Sequence, residues 1–382
     1  MRFKRNRANA RPKLLWLAFL FFVFALFVIR SNSGTANRKQ NNKVLVTYAY
    51  AERLGNGGEI DEHNFRFFIR VGMSGSIPGT EDPDGKVDYT FVISSKRCTP
   101  CRDTLPSVLE QSKRRNWVNV LYRKNFGMDF GAYNTSIMWA KKNRRLTKYR
   151  YFVFINSSLR GPFMPKWTPP GFHFTQALTQ TFEIDPRVKL AGSYVSCLPA
   201  DELFPGPILE SLFFAVDTTS LSWLIEDGIF VPETKKSMTA LFEEYALMRS
   251  ITQRGGFVEG LSSRYAKGID WIDERHHSCN DNRHSSRRAS LQGDISPNIF
   301  EHIFLKTSWC VRAAETVVLS KWFLRLSSGQ AGTEGRFDRI GYRRGISIER
   351  TSGKHGTMPP EIPDDKCQYG DLRGLKVSPP LR

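Results

Sequence analysis

Four short apolar runs constrain this chain most. They are residues 43–50 (KVLVTYAY), 87–93 (VDYTFVI), 117–122 (WVNVLY) and 151–155 (YFVFI). Their β-branched and aromatic content reads as strands. Between them, residues 62–71 (EHNFRFFIRV) place Phe65, Phe68 and Ile69 on one helical face, and 105–115 and 132–143 read as further helices. A β-α-β-α-β-α-β order calls for an α/β fold with a mostly parallel, Rossmann-like sheet and helices on both faces. Ligands of such sheets sit beyond the carboxyl ends of the strands, so the residues that follow each strand are the ones to read for function.

The 382 residues include 28 Phe, 12 Tyr and 8 Trp, enough aromatic mass for a core and against wholesale disorder. The net charge of +19 invites a nucleic-acid reading, but its distribution opposes one. Residues 1–43 hold ten Lys or Arg and no Asp or Glu, which leaves +9 over the remaining 339. Much of the excess is a terminal signal, and no nucleic-acid partner is expected.

That terminus reads as a membrane anchor. A basic tail over 1–13 precedes an uncharged Phe- and Leu-rich run from Leu14 to Ile29, closed by Arg30. As a helix the run covers roughly 24 Å, a little short of a typical hydrocarbon core. Bulky Phe residues near its end and the sequence after it oppose signal-peptide cleavage. Charge asymmetry places the tail in the cytosol and the rest in the lumen, and the short span suits an early secretory membrane, Golgi or endoplasmic reticulum. Residues 31–42 (SNSGTANRKQNN) read as a stem, 43–326 as the lumenal domain, and the Gly-, Ser-, Arg- and Pro-rich 327–382 as a disordered tail.

Six cysteines in an oxidising lumen allow three disulfides in fifteen connectivities. Cys98-Thr-Pro-Cys101 has the look of a redox pair or half a zinc site, yet no second such pair exists, and a short structural disulfide is the simpler reading. Glycosylation sequons occur at Asn134 and Asn156, the second directly after an apolar strand.

Two segments after strands carry the chemistry. After the third strand comes Asn125-Phe-Gly127-Met-Asp129-Phe-Gly131, a glycine-containing turn into a helix, suited to close approach of a ligand and to a phosphate at the helix amino end. After the fourth comes Asn156-Ser157-Ser158-Leu-Arg160. Side by side on one sheet edge, the two favour a nucleotide-diphosphate site.

These motifs, NFGMDFGAY and YRYFVFINSSLRGPFMP, resemble eukaryotic glycosyltransferase-like proteins related to the bacterial rhamnan synthesis protein F family. FFIRVG, VDYTFVIS, FEEYALMRSITQRGG and ISPNIFEHIFLKTSW extend the likeness over about 43–309. The resemblance implies a GT-A-like fold, a nucleotide-sugar donor, a glycan or glycoprotein acceptor, and a single-pass type II membrane protein. It assigns no particular sugar. The family's Asn-x-Gly-x-Asp-x-Gly pattern falls on Asn125, Gly127, Asp129 and Gly131, and its motif glutamate on Glu244. Where GT-A enzymes commonly carry Asp-x-Asp, this chain has Asn156, Ser157 and Ser158. Without carboxylates there, Mg²⁺ or Mn²⁺ would be held weakly, so the need for a divalent cation stays open.

In this reading Asp129 accepts hydrogen bonds from a sugar or ribose hydroxyl or helps hold a cation, against a plain role in capping the helix from Ala132. Arg160 neutralises the diphosphate, against a surface ion pair. Glu244 deprotonates the acceptor hydroxyl, against an exposed helix face that it would share with Glu243. The literal Asp-x-Asp at Asp82 and Asp84 sits in a Pro-Gly turn before a strand and reads as a solvated loop. Asp273, His276, His277, Cys279 and His284 match no zinc spacing. They read as a polar acceptor-side loop with Cys279 in a disulfide, next to the basic Arg283, Arg287 and Arg288. Two other classes compete with the enzyme: an inactive carbohydrate-binding or scaffold protein on the same fold, and a basic membrane-tethered adaptor.

Overall fold

The computed structural model describes residues 43–327 except 53–57, 96–97, 99, 102–104, 106–116, 199–205, 233–242, 264, 280–297 and 308–312. The span expected over 14–30, its flanking tail and stem, the segment beyond 327, Cys310, Cys367 and nearly all of the helix expected over 105–115 lie outside the described residues. Among the described residues no helix is long and apolar enough to cross a membrane.

The strands are β1 (Val44–Tyr50), β2 (Val87–Ile93), β3 (Val118–Tyr122), β4 (Tyr151–Asn156), β5 (Leu159–Arg160), β6 (Val188–Gly192), β7 (Val195–Leu198), β8 (Gly206–Leu209), β9 (Phe213–Asp217), β10 (Phe257–Gly260) and β11 (Leu305–Lys306). The helices are α1 (Gly58–Phe67), α2 (Met128–Lys142), α3 (Gln176–Ile184), α4 (Thr218–Glu226), α5 (Tyr245–Gln253), α6 (Ile299–His302) and α7 (Ala313–Ser327). Seven strands form the central sheet in the order β10-β6-β9-β4-β1-β2-β3. β3, β2, β1 and β4 run parallel, and β6 and β10 run parallel to each other. β9 alone is reversed, antiparallel to both β4 and β6. Two short antiparallel pairs, β5 with β11 and β7 with β8, stand apart from it.

Every residue of β1, β2 and β4 is buried, which explains their near-continuous apolar sequences: each strand faces a core on both sides. On one face Val46, Tyr48 and Tyr50 pack with Phe65, Phe68, Phe91 and Phe174. On the other, Leu45, Ala49 and Phe154 pack with Phe130, Tyr133, Phe214 and Leu221. Burying each of these large side chains is worth about 1.5–3 kcal/mol. The sheet-facing residues of α2, namely Phe130, Tyr133, Ile137 and Ala140, recur at steps of three and four, as one helical face requires. Thr47 Oγ1 also donates to Ser136 Oγ at 2.8 Å, tying α2 to β1.

α2 begins at Met128, four residues before the start read from sequence. Gly127 is its N-cap at φ 71°, in the left-handed region, and no side chain caps the helix. Asp129 therefore sits inside the first turn and does not cap a helix starting at Ala132.

Candidate functional site

The chain leaves β1 for β2 and β3 on one side, then returns to place β4 on the other side of β1. The crevice between the carboxyl ends of β1 and β4 is thus the switch point of the sheet. Asn156, the last residue of β4, lies beside Ala49 there. α2 starts at the same edge, and its Asp129 meets Asn156: Asn156 Nδ2 donates to Asp129 Oδ2 at 3.0 Å. Asn156 Oδ1 takes the Ser158 backbone N–H at 3.1 Å and the Ser158 hydroxyl at 2.6 Å. These partners settle the amide orientation, because a carboxylate can only accept and a backbone N–H can only donate. Asn156, Ser157 and Ser158 are all buried. The Asn156 sequon is therefore closed to a glycan in the folded chain, and Asn134 is half-buried on α2.

Glu244 is half-buried immediately before α5, whose run into β10 brings its amino end to this same sheet edge. The hydroxyl of Tyr133 feels both Asp129 and Glu244. Burial first, then these two carboxylates and Tyr48, hold its pKa well above the ordinary tyrosine value, so it stays a neutral O–H. It is fully buried with no hydrogen-bond partner among the described residues. Glu243, read from sequence as part of an exposed face, is fully buried.

The structure corrects two expectations. Arg160 does not face the crevice. It is 7% exposed, its Nε donates to Asn64 Oδ1 at 2.7 Å and its Nη1 to Ser320 Oγ at 3.3 Å, and its guanidinium lies 5.9 Å from the Phe67 ring. After Asn156 the chain turns away into β5, whose pairing with β11 buries Arg160, so it is not available as a diphosphate ligand. Secondly, Gly127 and Gly131 are filled by the chain itself. A Cβ at Gly127 would come within 2.8 Å of Pro232 Cα, and one at Gly131 within 2.8 Å of Arg123 Nη2. That guanidinium is held by Ser94 Oγ and the Phe126 carbonyl. Both glycines serve close packing, which needs no ligand. Asn125 is exposed. Asp82 and Asp84 lie in the largely exposed Pro-Gly turn that the sequence reads as a solvated loop, and their bonds are local to it. Asp82 accepts the N–H groups of Lys86 and Val87 at 2.8 and 3.0 Å and shapes the entry to β2, and Asp84 pairs with Lys86.

The residue that sequence reading missed is Asn64, at 0% exposure on α1. Its Nδ2 donates to the Ser157 carbonyl at 2.9 Å and to Thr307 Oγ1 at 2.8 Å. Thr307 in turn donates to the Ser158 carbonyl from N and from Oγ1, each at 3.0 Å. The available signal was an asparagine inside the buried apolar face of HNFRFFI.

Two disulfides join described cysteines, Cys98–Cys101 and Cys197–Cys279. The second ties the loop carrying Asp273, His276 and His277 to β7. There Asp273 pairs with Arg275, and His277 Nε2 lies 3.0 Å from the Trp271 carbonyl. Among the described residues no group of three His, Cys, Asp or Glu is placed to hold a metal ion. His284 and the neighbouring arginines lie outside them. A cleft of about 1010 Å³ opens at the opposite edge of the sheet, lined by Lys43, Glu81, Asp82, Asp88 and Trp117. Its carboxylates are engaged by the chain. Glu81 takes the Gly171 N–H, and Asp88 takes the Tyr149 hydroxyl. The carboxyl edge remains the better candidate.

No protein-family model matches the chain, and no curated protein matches its sequence. Among solved structures it is similar to a cytidylyltransferase from Leptospira borgpetersenii serovar Hardjo-bovis, at 12% identity over 66% of this chain and 90% of that one, with a TM-score of 0.33. It is similar to GalNAc-T7 with UDP, GalNAc and Mn²⁺, at 9% identity over 56% of this chain and 41% of that one, with a TM-score of 0.36. It is also similar to the mannosyltransferase PcManGT from Pyrobaculum calidifontis in complex with GDP-Man and Mn²⁺, at 10% identity over 81% of each chain, with a TM-score of 0.33. At such scores the likeness assigns nothing to individual residues.

Proposed function

We propose that this chain is a nucleotide-sugar-dependent glycosyltransferase of GT-A type, acting on a glycan or glycoprotein and anchored in a Golgi or endoplasmic reticulum membrane through residues 14–30. The observation that carries the reading is the Asp129–Asn156 hydrogen bond at the switch point. It joins the two segments singled out by their likeness to the rhamnan synthesis protein F relatives, at the place where open α/β sheets bind ligands.

The roles follow from the chemistry of each group. Asp129, an acceptor, holds hydroxyls of the donor sugar or ribose. The uncapped first turn of α2 offers backbone N–H groups and the positive end of its dipole to phosphate oxygens. This replaces the part first given to Arg160. Glu244 takes the proton from the acceptor hydroxyl as that oxygen attacks the anomeric carbon. The bond from that carbon to the diphosphate breaks, and the nucleoside diphosphate leaves. Asn156, Ser157 and Ser158 present only neutral oxygens, a poor set for Mg²⁺ or Mn²⁺.

Calorimetric titration of the full chain with UDP-, GDP- and CDP-sugars, with and without Mn²⁺, tests this. At least one donor should bind, and Asp129→Ala should abolish that binding while the melting temperature falls only slightly. Donor binding retained in Asp129→Ala sinks the site. Binding with neither transfer nor hydrolysis favours the second reading, an inactive carbohydrate-binding protein, which the neutral Asn156-Ser157-Ser158 turn supports. For the anchor, added protease should leave residues 43–326 intact in sealed microsomes, and digestion without detergent refutes the topology.

A further inference from the structure

The turn that carries Asn156 is held from outside the site. Its ladder contacts, Asn156 N to the Leu212 carbonyl at 3.2 Å and Ser157 N to the Ala49 carbonyl at 2.9 Å, fix the strand end. Of the next two peptide units, the first gives its Ser158 N–H to Asn156 Oδ1 and the second takes the Thr307 N–H on its Ser158 carbonyl. The side chains of Asn64 and Thr307 add the remaining bonds to the two carbonyls. Both hydrogens of Asn64 Nδ2 are used, one on the Ser157 carbonyl and one on Thr307 Oγ1, and Thr307 closes on the Ser158 carbonyl. Arg160 Nε, which can only donate, faces Asn64 Oδ1 and so prevents the amide from flipping. Arg160 extends the chain of bonds to Ser320 on α7.

We infer that Asn64 is a positioning residue of the donor site. By fixing the Ser157 carbonyl and the Thr307 hydroxyl, it sets the turn in which Ser158 grips Asn156 Oδ1, and so aims Asn156 Nδ2 at Asp129. It touches no ligand, and it acts with Thr307 through Asn156. The inference rests on the donor-site reading above. Its physical content is that a buried, fully used amide joining α1, β11 and the site turn costs side-chain freedom and desolvation, and that the geometry it enforces is that of a polar pair at the switch point.

The test uses Asn64→Asp in the full chain, which keeps the shape and the acceptor for Arg160 but removes both donated hydrogens. Two readouts separate positioning from mere support of the fold. The first needs no ligand: hydrogen exchange by mass spectrometry on peptides covering 156–160. Exchange there should rise about tenfold, with the peptides of β1 and β2 unchanged. The second is a double-mutant cycle with Asn156→Ala, read as the dissociation constants of UDP-, GDP- and CDP-sugars. Each single variant should weaken binding about tenfold, and the double variant no more than Asn156→Ala alone, because the two act in series. Thr307→Val is the milder second variant should Asn64→Asp fold poorly, with a loss of about threefold expected and the same lack of additivity. Unchanged exchange at 156–160, or a double variant whose loss is the product of the single losses, overturns the inference and leaves Asn64 with the fold alone. A wild-type chain that binds none of the three donor classes overturns the glycosyltransferase reading instead. The exchange measurement then still decides whether Asn64 sets the turn.

Discussion

Two tyrosine-to-phenylalanine changes, one on α2 and one just before β4, should move stability in opposite directions. Tyr133 packs its ring 4.9 Å from Phe154, 5.6 Å from Phe130 and 5.9 Å from Phe214, and its buried hydroxyl meets no partner among the described residues. A buried hydroxyl without a partner carries a desolvation penalty of about 1–3 kcal/mol, and Phe keeps the ring contacts while removing it. Tyr133→Phe should therefore stabilise the chain by about 1 kcal/mol, a rise of about 2–4 °C in melting temperature for a domain of this size. Tyr149 has the opposite balance. Its hydroxyl donates to Asp88 Oδ2 at 2.8 Å, and burial already pushes the Asp88 carboxyl above its ordinary value against that bond and the more distant Lys43. Tyr149→Phe removes a hydrogen bond to a charged group, worth about 1.5–3 kcal/mol, and should lower the melting temperature by several degrees. Urea unfolding of both variants at pH 7 gives the comparison. If Tyr133→Phe destabilises as much as Tyr149→Phe, the Tyr133 hydroxyl is well satisfied in solution and the reasoning fails.

Other expectations follow from buried groups and cross-links. His173 is buried between Tyr89 Oη at 2.9 Å and Thr175 Oγ1 at 2.8 Å, and burial depresses its pKa from 6.5 to about 3. Because the folded value lies below the unfolded one, its contribution is complete above pH 6.5 and is lost as pH falls towards 3. At pH 5 the loss is about 2 kcal/mol, so the stability gap between wild type and His173→Asn should narrow by about that much from pH 7 to pH 5 in urea titrations. Parallel pH profiles would show that His173 is protonated in the fold. The Cys197–Cys279 bridge closes a loop with a sequence separation of 82, against 3 for Cys98–Cys101. On chain entropy, the double serine variant of the long bridge should lose about 4 kcal/mol and that of the short bridge about half as much or less. Equal losses by thermal melt would contradict the entropic account.

What could be read from sequence was local. β1, β2 and β4 announced themselves because burial on both faces leaves no polar alternation to confuse the pattern. Asp129 and Asn156 were brought together in advance by one argument, that each follows a strand of a parallel sheet. The errors arose where partners are distant in the chain. Arg160 looked like an anion ligand because nothing near it in sequence reveals β11, some 145 positions later, which covers it. Gly131 looked like room for a ligand, yet the space belongs to an arginine from the preceding strand end. Asn64 was hidden among phenylalanines whose spacing already accounted for the helix, and its three partners lie in segments 93, 96 and 243 positions away. The early start of α2 depends on the left-handed Gly127 and on Met128 at φ 47°, conformations that no hydrophobic period encodes.

The single reversed strand has a consequence for how this architecture can vary. Parallel strands with helical crossovers offer the functional edge only the segments that leave each strand. β9 runs the other way, so the segment that enters it, Glu210 to Leu212, also reaches that edge, directly beside Asn156. Between the exit from β6 and this entry lies the β7–β8 pair, which belongs to a separate small sheet and contributes no hydrogen bond to the ladder of the seven strands. Lengthening or reshaping that excursion would alter the wall of the crevice while leaving the register of the central sheet untouched. On the glycosyltransferase reading proposed above, substitutions in the entry segment Glu210–Leu212 should change which acceptor the crevice takes while the ladder of the seven strands keeps its register.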